Sequence, residues 1–134
     1  MPKINSRSKG QRGERAWTKV LRDHGYEAKR TGFHQSQQGH DAPDVTCEGL
    51  PIHWEVKNTE KCLILPWMAQ SIGDAKDHQI PVVVWKKNQG KWLAILPAED
   101  LLKMIQSCDL KQLEELIQMK CQGTTFKKTG GNYI

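Results

Sequence analysis

The sequence predicts an α/β domain with a mixed central β-sheet flanked by helices. Three observations predict it. An amphipathic helical stretch is followed by three short β-prone runs; a second helical stretch separates these from two further strands; and the chain then turns helical again. The length, 134 residues, is that of a chain with one hydrophobic core, and 37% hydrophobic and 26% charged residues are ordinary for a globular protein. A single domain is expected, with a core over about residues 8–100, a helical extension over about 101–121 and a loose tail over 122–134.

Each element has a local reason. Ala16, Trp17, Val20 and Leu21 recur at helical spacing, and Gly25 ends the pattern, so a helix is expected from Gly13 to His24. Tyr26 to Arg30 reads as a short strand. Thr31 to Pro43 mixes glycine, glutamine and histidine without periodicity and reads as a loop. Asp44–Cys47 and Ile52–Lys57 are β-prone runs, and Glu48-Gly49-Leu50-Pro51 between them has the composition of a hairpin turn. Cys62–Leu65 is expected to extend the sheet, and Pro66 to open a helix reaching about Asp77. Ile80–Lys86 is a β-branched strand, Asn88–Gly90 a turn and Lys91–Leu96 a further strand. Helices are expected from Ala98 to Gln106 and, through Leu110, Leu113, Leu116 and Ile117, from Asp109 to Cys121.

Charge points to a polyanionic partner. The formal net charge is +5, and nine lysines and arginines stand against three acids between Met1 and Gln35, leaving the remainder close to neutral. Such a segment sets up a positive field that attracts nucleic acid. No apolar run reaches the roughly 20 residues of a membrane span. Met1 to Lys9 is basic and polar, unlike a secretory signal, so a cytoplasmic protein is expected. The four cysteines form no C-x-x-C pair and read as reduced thiols. None of the five histidines pairs with a cysteine at zinc-finger spacing, so structural zinc is not expected.

The chemistry-bearing stretch is Pro43-Asp44 followed by Glu55-Val56-Lys57. Side chains alternate along a strand, so Glu55 and Lys57 point to one side and Val56 to the other. If Gly49 closes a hairpin, Asp44 and Glu55 lie side by side. Two adjacent carboxylates repel unless a cation neutralises them. A hard divalent ion such as Mg²⁺, with Mn²⁺ expected to substitute, is held by such oxygens together with water and phosphate. The backbone carbonyl of Val56 offers a further oxygen. Lys57 is placed to orient or activate a water, or to steady charge on a phosphate. Phosphodiester hydrolysis suits this set best. The competing reading of Glu55 and Lys57 is a solvated surface salt bridge.

Gly10-x-x-Gly13-Glu14-Arg15, Arg30, Ser36, Pro43-Asp44 and Glu55-Val56-Lys57 together resemble the PD-(D/E)XK nucleases. Within them the pattern is most similar to the archaeal-type Holliday junction resolvases and their phage relatives, over about Ser8 to Asp100. The resemblance implies a restriction-endonuclease-like core and an Mg²⁺-dependent endodeoxyribonuclease. It implies that Glu14 completes the acidic cluster with Asp44 and Glu55, and that Ser36 is a functional loop serine. It also implies a homodimer making paired nicks in a four-way DNA junction and leaving 5′-phosphates. The loop before Pro43 lacks the family's Ser-Gly pair, and Asp41 competes with Asp44 as the acidic ligand; Asp44 is preferred because it follows Pro43 and enters the strand.

Arg12, Arg15, Lys29 and Arg30 are candidate phosphate contacts. Gln70 is a candidate DNA contact because related nucleases often place a glutamine on the helix after the E-x-K strand. A nuclease acting on duplex or flap DNA, and a DNA-binding module without catalysis, are the alternatives. Trp54, Trp67, Trp85 and Trp92 are expected in the core rather than stacked on bases. The last amphipathic helix is expected to pack either on a second subunit or on its own core.

Overall fold

The computed structural model describes residues 6–32 and 42–122. It contains α1 (Ser6–Asp23), β1 (Ala28–Arg30), β2 (Val45–Cys47), β3 (Ile52–Asn58), α2 (Ile64–Asp74), β4 (Ile80–Lys86), β5 (Leu93–Ile95), α3 (Ala98–Ser107) and α4 (Leu110–Gln122). These strands form one sheet in the order β1-β2-β3-β4-β5. Among the described strands only the β3–β4 pair is parallel, and α2 is its crossover; the other three pairs are antiparallel. The mixed α/β architecture is the one expected.

Two departures have physical causes. The helix α1 begins seven residues before Gly13, although Gly10 and Gly13 are poor helix formers. Tertiary packing overrides propensity here: Gly13 lies against β3 so closely that an added Cβ would stand 3.0 Å from Asn58 Cβ. The second departure is Cys62–Leu65, which does not extend the sheet. Ile64 and Leu65 already belong to α2, so Pro66 falls within its first turn, where the missing N–H costs nothing.

The chain divides into two compact units, Met1–Leu96 and Pro97–Ile134. In the first, the sheet is covered on both faces. On one, α1 packs Leu21 and the partly buried Trp17 against Ala28, Val45, Cys47, Trp54, Val56, Val82 and Val84. On the other, Trp67 of α2 packs against Val83 and Trp85. The alternation along β3 and β4 assigns every residue to its face: Trp54 and Val56 go to α1, while His53, Glu55 and Lys57 go to the α2 side. Trp54, Trp67 and Trp85 are buried and Trp92 packs against the core, as expected.

The hairpin predicted between β2 and β3 is present. Leu50 N–H donates to the Cys47 carbonyl at 3.3 Å, and Gly49 takes φ +80°, a left-handed value that favours glycine. In the second unit, Pro97 accepts hydrogen bonds from the amides of Asp100 and Leu101, and Glu99 and Asp100 place negative charge in the first turn of α3. Asp109 caps α4 by accepting from the Lys111 amide at 3.0 Å. No described helix is long and apolar enough to cross a membrane.

Candidate active site

The site forms where β2 begins beside the middle of β3. Val45 pairs with Trp54, and the Asp44 amide donates to the Trp54 carbonyl at 2.9 Å, so Asp44 is held at the end of the ribbon. Its carboxylate Oδ2 accepts from the Val56 amide at 2.8 Å. The Trp54 carbonyl faces β2, and strand groups two residues apart face the same way, so the Val56 carbonyl also points to the β2 side rather than into the β4 ladder. Asp44 and the Val56 carbonyl are thereby brought to one edge.

Glu55 and Lys57 share a side, as the alternation predicts, and Lys57 Nζ donates to Glu55 Oε1 at 2.6 Å. This is not a solvated surface pair: the Glu55 side chain is only 6% exposed and that of Lys57 22%. The middle of α1 supplies Glu14, whose Oε2 accepts from Arg30 Nε at 2.9 Å and pairs with its Nη2 at the same distance. A cleft of about 380 Å³ is lined by Glu14, Asp44, Glu55, Val56 and Lys57, together with Ser6, Lys9, Gly10 and Asn58–Glu60.

Asp44 acts on both of the other carboxyl groups. Burial pushes the Glu55 carboxyl above its ordinary range and the charge of Asp44 adds to the rise, against the pull of Lys57. Burial likewise raises Glu14; the hydrogen bond from Arg30 opposes the rise and Asp44 reinforces it. Two acids drawn out of water, each raised by the same third one, form a site that a hard divalent cation would relieve, and the donors are all oxygen. The residues present therefore fit Mg²⁺.

This electrostatics has a measurable sign. A carboxyl whose folded-state pKa is raised stabilises the fold fully below the ordinary glutamate value of 4.5 and loses that contribution as pH rises through the raised value. In chelator, Glu55→Gln is expected to melt above the wild type by a margin that widens as pH rises from about 4.5 to neutrality. Mg²⁺ is expected to raise the wild-type melting temperature at neutral pH and to leave Glu55→Gln nearly unmoved. Parallel melting curves against pH for the two proteins would contradict the assigned cause.

The basic candidates separate into groups. Arg15, exposed on α1, and Arg30 line a second cleft of about 460 Å³ with Arg7, Gly10, Gln11, Glu14 and Gly32. Gly10 and Glu14 line both clefts, so the arginine-lined groove adjoins the carboxylate-lined one. Arg12 is exposed on α1 and lines neither. Lys29 lines a different groove, with Glu27, Thr46, Cys47 and Glu48. Gln70 is exposed on α2 and lines neither of the two adjoining clefts. Ser36 and Asp41 lie outside the described residues, as do His34 and His40.

Sequence reasoning set His53 aside with the other histidines, none of which has zinc-finger spacing, and passed over Asp74. His53 is 0% exposed, and neither ring nitrogen has a hydrogen-bond partner among the described residues. One ligating atom each from His53, Glu55 and Asp74 lie within 4.8 Å of one another. The available signal was the two-residue spacing of His53 from Glu55, which puts both on one face; no local signal brings in Asp74.

Residues 5–129 match the family described as "Phage putative PDDEXK endonuclease". The chain belongs to this family. The match covers nearly the whole length, including the strand-borne Asp44 and Glu55-Val56-Lys57 and the Glu14 helix, and membership points to a nuclease. No curated protein matches the chain. Among the described residues of this family member, Asp44 at the start of β2 and Glu55-Val56-Lys57 on β3 stand on neighbouring strands of one sheet.

Proposed function

We propose that the protein is a metal-dependent DNA endonuclease that resolves four-way junctions by phosphodiester hydrolysis, with Glu14, Asp44 and Glu55 and the Val56 carbonyl holding Mg²⁺. The observation that carries the nuclease reading is the adjoining pair of clefts: arginines line one, carboxylates the other, and Glu14 belongs to both. A DNA backbone drawn along Arg15 and Arg30 by charge is delivered to the acidic edge of the ribbon. When bound there, Mg²⁺ supplies Lewis acidity and a water of lowered pKa.

The chain's own groups do the rest. The Val56 amide fixes the Asp44 carboxylate, and Glu55 fixes Lys57 Nζ at 2.6 Å, so the ammonium is already oriented in the cleft that it lines. Lys57 steadies negative charge growing on the phosphate, or orients the attacking water. Arg30 holds Glu14 in place. The preference for junctions is supported by the resemblance of the Gly10–Lys57 pattern to the archaeal-type resolvases. Homodimerisation is supported by apolar side chains exposed on α3 and α4, among them Leu101, Leu102, Leu116 and Ile117. A cytoplasmic location agrees with Cys47, Cys62 and Cys108, all free thiols.

The test is incubation with Mg²⁺ and a labelled four-way junction, a matched duplex and a flap. Paired symmetric cuts in the junction alone are expected. Equal cutting of duplex or flap would leave a nuclease of another specificity, and salt-sensitive binding without cleavage by any divalent ion would leave a binding module only. Arg15→Ala is expected to weaken binding evenly across DNA sequences and to lower the slope of log affinity against log salt by about 0.9, the share of one phosphate contact. Arg30→Ala is expected to do the same and also to slow cleavage of bound DNA, because Glu14 loses its anchor.

A further inference from the structure

We propose that His53, Glu55 and Asp74 form a second divalent-cation site, selective for a transition metal such as Zn²⁺ or Mn²⁺, on the α2 side of β3. It shares Glu55 with the site proposed for hydrolysis but uses neither Asp44 nor Glu14, so it stands whether or not that reading does.

The alternation of β3 sends His53 and Glu55 to the same face, and Asp74, the last residue of α2, meets them there. The three ligating atoms fall within 4.8 Å of one another. Metal–nitrogen and metal–oxygen bonds are about 2.0–2.2 Å, so donors on opposite sides of one ion stand up to about 4.3 Å apart. A small closing motion of these side chains encloses an ion. The three have not satisfied one another directly, since neither His53 nitrogen makes a hydrogen bond among the described residues.

A fully buried imidazole with both nitrogens unpartnered is rare, because the desolvation goes uncompensated. The two carboxylates supply the charge to match a divalent ion, and one of them, Glu55, is 4% exposed. An imidazole beside two carboxylates favours borderline metals over Mg²⁺, which prefers oxygen and water. With Glu55 common to both, the two ions would flank one carboxylate: one at the DNA-facing cleft, the other behind it.

The experiment is a Co²⁺ titration of the metal-free protein, followed by calorimetry and by visible absorbance. Wild type is expected to bind two ions per chain. His53→Gln and Asp74→Asn are each expected to lose one, or to weaken it at least about tenfold, while Asp44→Asn keeps the ion whose visible bands depend on His53. Asp74 is partly exposed, so its variant tests the site even if a change at the buried His53 fails to fold. If Asp74→Asn and a folded His53→Gln bind Co²⁺ with wild-type stoichiometry, affinity and spectrum, His53 is a buried structural residue and the proposal is overturned. If those two variants each lose an ion while Asp44→Asn retains both, the second site stands and it is the hydrolytic one that has been misassigned.

Discussion

Replacing Asp44 with asparagine, or Glu55 with glutamine, is expected to lower cleavage by at least about 10²–10³-fold while DNA binds as tightly as before or more tightly. Both changes conserve shape. The amide that replaces the Asp44 carboxylate still offers an oxygen to the Val56 N–H, and the one that replaces the Glu55 carboxylate still offers an oxygen to Lys57. The hydrogen bonds at 2.8 and 2.6 Å therefore keep acceptors in the variants. What each change removes is one negative charge from a cleft in which the charge of Asp44 adds to the raising of both Glu14 and Glu55 by burial. Fewer negative charges near the phosphates favour binding, and fewer oxygen anions disfavour the cation on which the proposed hydrolysis depends. Single-turnover cleavage and a binding isotherm, run on the same preparations, separate the two effects. Cleavage at the wild-type rate by either variant would remove that residue from the site.

The largest effect on stability is expected from Trp54→Ala, at about 3–5 kcal/mol, against a total of about 5–15 kcal/mol for a domain. Trp54 is 7% exposed and lies between α1 and the sheet, its ring centroid 5.2 Å from that of Trp17 at an interplanar angle of 57°. Trp17 stands 5.3 Å from Trp92 in turn, so truncating Trp54 in the middle of β3 opens a cavity beneath a chain of aromatic contacts. Trp54→Phe is expected to cost less than half as much. Trp54 Nε1 is buried without a hydrogen-bond partner among the described residues, so phenylalanine forfeits packing but no hydrogen bond. Urea unfolding of the three proteins measures both differences. Equal losses for alanine and phenylalanine would mean that the indole N–H has a partner after all.

How much of this was legible in the chain varies with the range of the force responsible. Ile80–Lys86 was readable to the residue because β-branched side chains in a nearly unbroken run suit a strand covered on both faces. The start of α1 was not, because two glycines argued locally against helix while a contact with Asn58, far along the chain, argued for it. Cys62–Leu65 misled for a related reason: a short apolar run is strand or helix according to what it packs on, and here Ile64 and Leu65 enter the crossover helix between parallel strands.

The same division runs through the site. The sequence by itself determined that Glu55 and Lys57 share a side, and that a turn at Gly49 returns β3 to Asp44; alternation and turn chemistry act over a few residues. It did not determine that Glu55 is buried and its partner Lys57 half-buried, that Arg30 grips Glu14 across 16 residues, or that Lys29 lines another groove from Arg30. Nor did it bring Asp74 to His53 and Glu55. Those facts depend on where α1 and α2 land on the two faces of the sheet, and that placement is decided by burying Trp17, Trp54 and Val56 on one face and Trp67, Val83 and Trp85 on the other. Hydrophobic burial is non-directional and sums over residues distant in the chain, so only the folded structure reveals which polar groups it carries together.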